Sequence, residues 1–186
     1  MEEIILASAS PRRALLLRQI GLSFRPVKSP YQEPPLREEN MVKEVALAKA
    51  EAVFLLYPGS LVLGADTAVV CEGTILGKPR NAYEAANMLT LLSGKTHRVI
   101  TAVALVEKDR KRVEQEETKV FFREIDEDEI IAYAASQEPY DKAAGYGIQE
   151  KGAVFVKRLE GCYFNVVGLP IALLVKMLKE SNRSIW

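Results

Sequence analysis

The chain has 186 residues, 48% apolar and 27% charged, with 25 Lys plus Arg against 25 Asp plus Glu and a formal charge of zero. That length supports one sizeable core, read as a single domain over residues 1–186, and no apolar run approaches the ~18 residues of a membrane span. The balanced totals show none of the basic excess usual in duplex-binding proteins, so neither a membrane nor a nucleic-acid partner is expected.

One histidine, His97, and two distant cysteines, Cys71 and Cys162, weaken the case for a His-based zinc centre, a Ser-His-Asp triad or a disulfide. The start MEEIILASAS opens on acids with a short apolar stretch, unlike the basic start and longer apolar core of a signal peptide. A cytoplasmic protein is expected.

In chain order, residues 3–7 read as a strand that runs into Ser8-Ala9-Ser10-Pro11-Arg12-Arg13. Pro11 suits the first position of a helix with Ser10 as N-cap, and that helix stops at Gly21. A small-residue turn, a helix N-terminus and two arginines make an anion site; the same residues also read as a cap with solvated arginines. Residues 24–27 form a second strand, followed by a proline-rich loop that carries Glu33.

A helix is expected over 37–56, with Met41, Val45, Ala48, Ala52 and Leu55 facing inward and Lys49 flanking the stripe as a snorkelling surface lysine. The run LVLGADTAVVCEGTILGKPR, residues 61–80, then places Asp66 and Thr67 inside an apolar strand. An unpaired charge is costly there, so the carboxylate needs a purpose. A turn at 71–74 returns the chain to Gly77-Lys78-Pro79-Arg80, putting an acid and two bases at one rim, a setting for an anionic substrate with a metal ion.

Asn81 caps a helix over 82–92 with Ala85, Met88, Leu89 and Leu92 inward. Two β-rich runs, 96–106 and 113–123, form a hairpin joined by 107–112, and Asp126 opens a helix to about 135. Residues 136–147 read as a loop, 154–157 and 162–167 as short strands, and Gly168-Leu169-Pro170 opens a last helix to 179. Hairpins interrupt the alternation of helix and strand, which points to an α/β fold with a mixed sheet.

Six ordered segments, LASASPRR (6–13), GADT (64–67), GKPR (77–80), LSGKTHRVITAV (92–103), DKAAGYGIQ (141–149) and NVVGLP (165–170), carry a resemblance. Together they are similar to the Maf family of nucleoside triphosphate pyrophosphatases, from first strand to last helix. The resemblance implies an elongated mixed-sheet fold similar to inosine triphosphate pyrophosphatases, with two lobes around a cleft. It implies hydrolysis between the α and β phosphates, with a divalent cation, Mg²⁺ or Mn²⁺, on Glu33 and Asp66.

Carried over residue by residue, Asp66, Lys49, Lys78 and Glu33 are the catalytic set. Ser8, Ser10, Arg12, Arg13, Thr67, Lys142 and Gln149 bind substrate, with Arg12, Thr67 and Gln149 at selectivity positions. Asp66 is either the proton acceptor for the attacking water or the group that holds it. The GYGIQ stretch resembles the branch acting on dTTP and UTP, and modified pyrimidine nucleotides are also considered; a carboxamide can pair with the O4 and N3–H edge that uracil and thymine share.

Rival readings are a 7-methyl-GTP pyrophosphatase of the same family and a non-catalytic nucleotide-binding regulator of septum formation. The family also implies a homodimer. Asn81 stands where an acid is common, leaving capping intact, and Ala144-Gly145 stands where Gly-Ala is frequent, moving the flexible point of the loop by one residue. His97 is read as structural or at the rim, and Tyr146 as a base-stacking ring or a plug in the local core.

Overall fold

The strand-like runs join into one seven-stranded mixed sheet in the computed structural model, which describes residues 3–183. The strands are β1 (Ile4–Leu6), β2 (Phe24–Pro26), β3 (Val62–Cys71), β4 (Thr74–Leu76), β5 (Thr96–Glu107), β6 (Arg110–Phe122) and β7 (Val156–Glu160). Their order is β2-β1-β3-β5-β6-β7, with β4 also beside β3. β1 is parallel to both neighbours, and the remaining pairs are antiparallel.

One detail of register positions the site. β5 pairs with β3 continuously from Val62 to Val70, whereas the other edge of β3 is shared. There β1 takes only Val62 and Leu63, and β4 takes Val69 to Cys71. Among the described residues no strand pairs with 64–68 on that edge. The sheet forks where Asp66 and Thr67 lie.

Helices α1 (Pro11–Gln19), α2 (Met41–Phe54), α3 (Ala82–Leu92), α4 (Glu127–Ala134), α5 (Tyr163–Val167) and α6 (Ile171–Lys179) cover the faces. On one face α2 packs Val42, Ala46, Ala50 and Val53 against Ile5, Val62, Ala68, Ala102 and Ala104. The opposite face carries two clusters. Leu6, Leu16, Leu63, Val103 and Leu174 form one, and Val69, Leu89, Val99, Phe122 and Phe155 the other. A fully buried Val, Leu or Phe in such a cluster contributes about 1.5–3 kcal/mol relative to exposure. Among the described residues no helix is long and apolar enough to cross a membrane.

Several boundaries differ from the expectations. α2 starts at Met41, after a turn, and buries Val42, Val45, Ala46, Lys49, Ala50 and Val53, while Leu55 is 80% exposed. The inward stripe is thus rotated by about one residue, roughly 100°, and Lys49 points into the protein. Gly64 explains the rotation: with no Cβ it admits the small Ala46–Ala50 turn of α2 against β3, where an added Cβ would overlap the Ala46 carbonyl oxygen.

The β5–β6 turn is tighter than expected, because Glu107 already pairs with Arg110. Residues 162–167 do not form a strand; Tyr163–Val167 is α5, since a short apolar run is ambiguous between the two and Thr118 holds both the Cys162 N–H and its carbonyl. The expected strand at 154–157 is displaced by a 3₁₀ turn over Lys151–Phe155, so β7 runs from Val156. The 136–147 loop contains 3₁₀ turns at Pro139–Asp141 and Ala143–Gly145.

Candidate active site

The fork exposes neighbouring residues of β3 to opposite faces, because side chains alternate along a strand. Asp66 faces α2 and meets Lys49 Nζ at 2.7 Å; Glu33, from the proline-rich loop, reaches the same ammonium at 2.8 Å. The Lys49 and Asp66 side chains are 9% and 10% exposed, so removing Lys49 would leave the nearly buried Asp66 carboxylate without its ion-pair partner, at a cost of about 3–5 kcal/mol, whereas removing Asp66 leaves Lys49 still paired with Glu33. Glu33 is half exposed and contributes far less to stability. Lys49 is therefore a buried ion-pair partner, where the helical wheel suggested a surface lysine.

Thr67 faces the other way, toward Arg13. The Arg13 guanidinium donates from Nε to the Gly168 carbonyl (2.8 Å), from Nη1 to Ser8 Oγ (3.2 Å) and from Nη2 to Thr67 Oγ1 (3.1 Å). Burial lowers its pKa, with the Asp66 and Glu33 charges opposing that fall, and a guanidinium stays protonated regardless. All three acceptors are neutral, so the charge is unspent, and two of its five N–H groups have no partner in this set. Ser8 Oγ also accepts the Ser10 N–H at 3.2 Å. Ser10 occupies the N-cap position of α1 but makes no side-chain cap bond.

Arg12 spans the cleft to Asp141, Nη1 to Oδ2 at 2.6 Å. Partial burial works to raise the Asp141 pKa, but hydrogen bonds from Lys142 and Arg12 outweigh it and hold the carboxyl below its ordinary value. Lys142 is buried, and its ammonium donates to the Glu138 carbonyl (2.7 Å) and faces Asp141 (2.6 Å) and Glu150 (3.0 Å). Three protons meet three acceptors, so in this arrangement Lys142 ties the 138–150 loop together. Gly147 completes the packing, since a Cβ there would stand 2.6 Å from Lys142 Cε.

Ala144 and Gly145 both have positive φ, 58° and 69°. Ala144 therefore carries a strain of about 1–2 kcal/mol, held by its N–H on the Gly77 carbonyl at 2.9 Å, and an alanine at 145 would carry the same strain with its Cβ 3.2 Å from Pro79 Cγ. The Ala144 hydrogen bond to Gly77 joins the loop to the GKPR turn. Asn81 Oδ1 accepts the Glu84 N–H at 2.9 Å and so caps α3 as expected.

The eleven residues of the catalytic and substrate-binding sets line one cleft of about 840 Å³: Ser8, Ser10, Arg12, Arg13, Glu33, Lys49, Asp66, Thr67, Lys78, Lys142 and Gln149. Arg80, expected as the second base at that rim, is not among the lining residues; it is exposed and pairs with Glu84 one helical turn on, at 2.7 Å. The volume lies in the range of small-molecule and cofactor sites. Lys78 and Gln149 are exposed at the rim. His97 is not at the rim; it is 1% exposed, bonds Tyr146 Oη at 2.7 Å, and packs edge-on against Phe122. Tyr146 is itself 6% exposed, so its ring serves as a core plug whose edge lines the cleft.

Sequence reasoning missed Asp141, Thr101, Asn165 and the Gly168 carbonyl as partners of the cleft arginines and Thr67. The motifs DKAAGYGIQ, THRVITAV and NVVGLP contained them, but nothing local indicated which distant residue each would meet.

The donors suit a hard divalent cation. Two carboxylates converge on one ammonium, and among the described residues no group of three or more His, Cys, Asp and Glu is placed to hold a metal ion. Mg²⁺ is commonly held by one or two carboxylates with waters and substrate phosphates completing the shell, which this sparse set allows.

A forked mixed sheet whose cleft holds Arg13 on one face of β3 and the Lys49, Asp66 and Glu33 cluster on the other defines an α/β protein with a charged cleft. The family model for Maf-like proteins matches residues 3–181, and the chain belongs to that family. It is 48% identical over 190 residues, with the whole of both chains covered, to a dTTP/UTP pyrophosphatase of Pelotomaculum thermopropionicum. It is 50% identical over 185 residues to dTTP/UTP pyrophosphatases of Bacillus cereus and Bacillus anthracis, covering 98% of this chain and 97% of each relative.

Proposed function

We propose that the protein hydrolyses dTTP and UTP to the nucleoside monophosphate and pyrophosphate. The observation that carries this reading is the fork in β3, which sets the Lys49, Asp66 and Glu33 cluster on one face and Arg13 on the other, both open to one nucleotide-sized cleft. The full-length relatives named for that reaction support it.

A triphosphate carries several negative charges. Arg13, with two spare N–H groups, and Lys78, exposed on its turn, neutralise non-bridging oxygens, while Ser10 lines the entry. Lys49 holds the Asp66 carboxylate in place at 2.7 Å. Asp66 accepts the proton of the attacking water or orients that water; the new P–O bond forms on the monophosphate side and the bond to pyrophosphate breaks. A divalent cation on Glu33 and Asp66 would neutralise phosphate charge and acidify the attacking water. At the rim, the Gln149 carboxamide pairs with the uracil or thymine edge. The proposal extends to a homodimer working in the cytoplasm.

The test is pyrophosphate release from a panel of ribo- and deoxynucleoside triphosphates plus 7-methyl-GTP, with Mg²⁺, Mn²⁺ or chelator, sedimentation velocity giving the oligomer. Preference for dTTP and UTP is expected, with Asp66→Asn reducing turnover by about 10²- to 10⁴-fold while binding persists. Nucleotide binding without turnover in either metal would overturn the reading in favour of a regulator.

A further inference from the structure

The sheet face opposite Lys49 carries a polar seam. Ala65 and Val103 belong to one apolar cluster and Val69 and Val99 to the other; between them sit Thr67 and Thr101. Apolar side chains would fill that junction with no polar group to satisfy, so two hydroxyls there call for an account.

Thr67 Oγ1 and Thr101 Oγ1 are 3.0 Å apart, and Thr101 donates to the Asn165 carbonyl at 2.9 Å. A hydroxyl has one proton, and a carbonyl only accepts. The Thr101 proton is therefore committed to Asn165, and Thr67 must donate to Thr101. What remains on Thr67 Oγ1 is acceptor capacity, which it presents to Arg13 Nη2 at 3.1 Å. The direction of the whole chain follows: Arg13 to Thr67, Thr67 to Thr101, Thr101 to the Asn165 carbonyl.

Asn165 is fully buried and anchored by its own side chain, Nδ2 donating to the Val99 carbonyl and to Thr118 Oγ1 at 2.9 Å each. Three residues on, Gly168 turns the chain at φ 113° and its carbonyl takes Arg13 Nε at 2.8 Å. The segment 165–168 thus holds the guanidinium twice, directly through Gly168 and at a distance through two threonines.

We infer that Thr101 and Asn165 are positioning residues for Arg13, and that Thr67 serves the reaction as their intermediary, an acceptor that aims Arg13, with its proton turned away from substrate. The inference rests on the reading of Arg13 as the cation that binds the phosphates. Thr101 and Asn165 touch no substrate; they decide where the two spare N–H groups of Arg13 point.

The test uses Thr101→Val, Thr101→Ser, Thr67→Val and the double valine variant, each assayed for dTTP turnover and thermal stability, with ¹⁵N spectra of the Arg13 guanidinium taken without substrate. Thr101→Val should lower kcat by about 10- to 10²-fold with a smaller change in KM, since a misaimed cation loses its hold on developing charge. Thr101→Ser, which keeps the hydroxyl, should stay within about twofold of the parent. The double variant should be no slower than Thr67→Val alone, as expected of residues acting in one chain.

Independent, multiplicative losses from the two valines would overturn the inference. If the parent releases no pyrophosphate from any triphosphate, the functional reading fails while the spectra still decide the relay: Arg13 signals identical in the parent and Thr101→Val refute it. Should Thr101→Val not fold, Thr101→Ala takes its place in the spectra: altered Arg13 signals support the relay, and signals identical to the parent refute it.

Discussion

Replacing Gly64 with alanine puts a methyl group where α2 lies against β3. The new Cβ would overlap the Ala46 carbonyl oxygen and stand 2.9 Å from Ala50 Cβ. Relaxed carbon contacts are roughly 3.5–4.0 Å, so α2 must retreat by about 1 Å. Overpacking of this kind costs about 1–3 kcal/mol, which for a chain of this size lowers the melting temperature by about 3–10 °C. The retreat also carries Lys49 away from Asp66, and misplacing a reacting group by about 1 Å lowers turnover on the order of 10²-fold. Thermal melts and pyrophosphate release from dTTP measure the two effects. Adding Ala50→Gly removes the methyl contact but leaves the carbonyl overlap, so turnover should recover only in part. Unchanged melting and turnover in Gly64→Ala would refute the close approach; lowered melting with full turnover would refute the claim that it places Lys49.

Two further outcomes follow from named groups. Gln149→Ala should lower dTTP and UTP turnover by about 5- to 10-fold, the loss of an exposed hydrogen bond, while barely changing any residual purine reaction; an equal fall for every base would remove Gln149 from base recognition. Burial holds the His97 pKa down to about 4. The folded imidazole stays neutral while the unfolded chain takes up a proton below ~6.5, so this stability is complete above that value and is lost as pH falls toward about 4. Between pH 7.5 and pH 5 urea unfolding should show a loss of about 2 kcal/mol from this group, and His97→Leu should flatten the dependence; equal pH slopes for the two proteins would reject the assignment.

Much of the site is legible from residue chemistry. A carboxylate and a hydroxyl inside the apolar run 61–70, two arginines at a strand-to-helix turn and a lysine in a turn after a hairpin each signal a purpose before any coordinates. All line the cleft. Less legible was Lys49, because an Ala-rich helix has several nearly equivalent apolar stripes, and the choice among them depends on Gly64 in another element. Lys142 read as a cation for substrate, but its loop folds back on it through Glu138 and Glu150. The run 162–167 had apolar character without a length or period to separate strand from helix.

By itself, then, the sequence determined the local elements where periodicity was long, the charged and hydroxyl residues that come to line the cleft, and the family, because these depend on residue type at short spacing. Only the tertiary structure decided which charges meet: Lys49 with both Asp66 and Glu33, Arg12 with Asp141 across 129 residues, and Arg13 with Gly168 across 155. The physical reason is the sharing of one edge of β3 between β1 and β4. That register opens the sheet at Asp66 and Thr67 and sends them to opposite faces, and it arises from pairing between distant segments that no local pattern encodes.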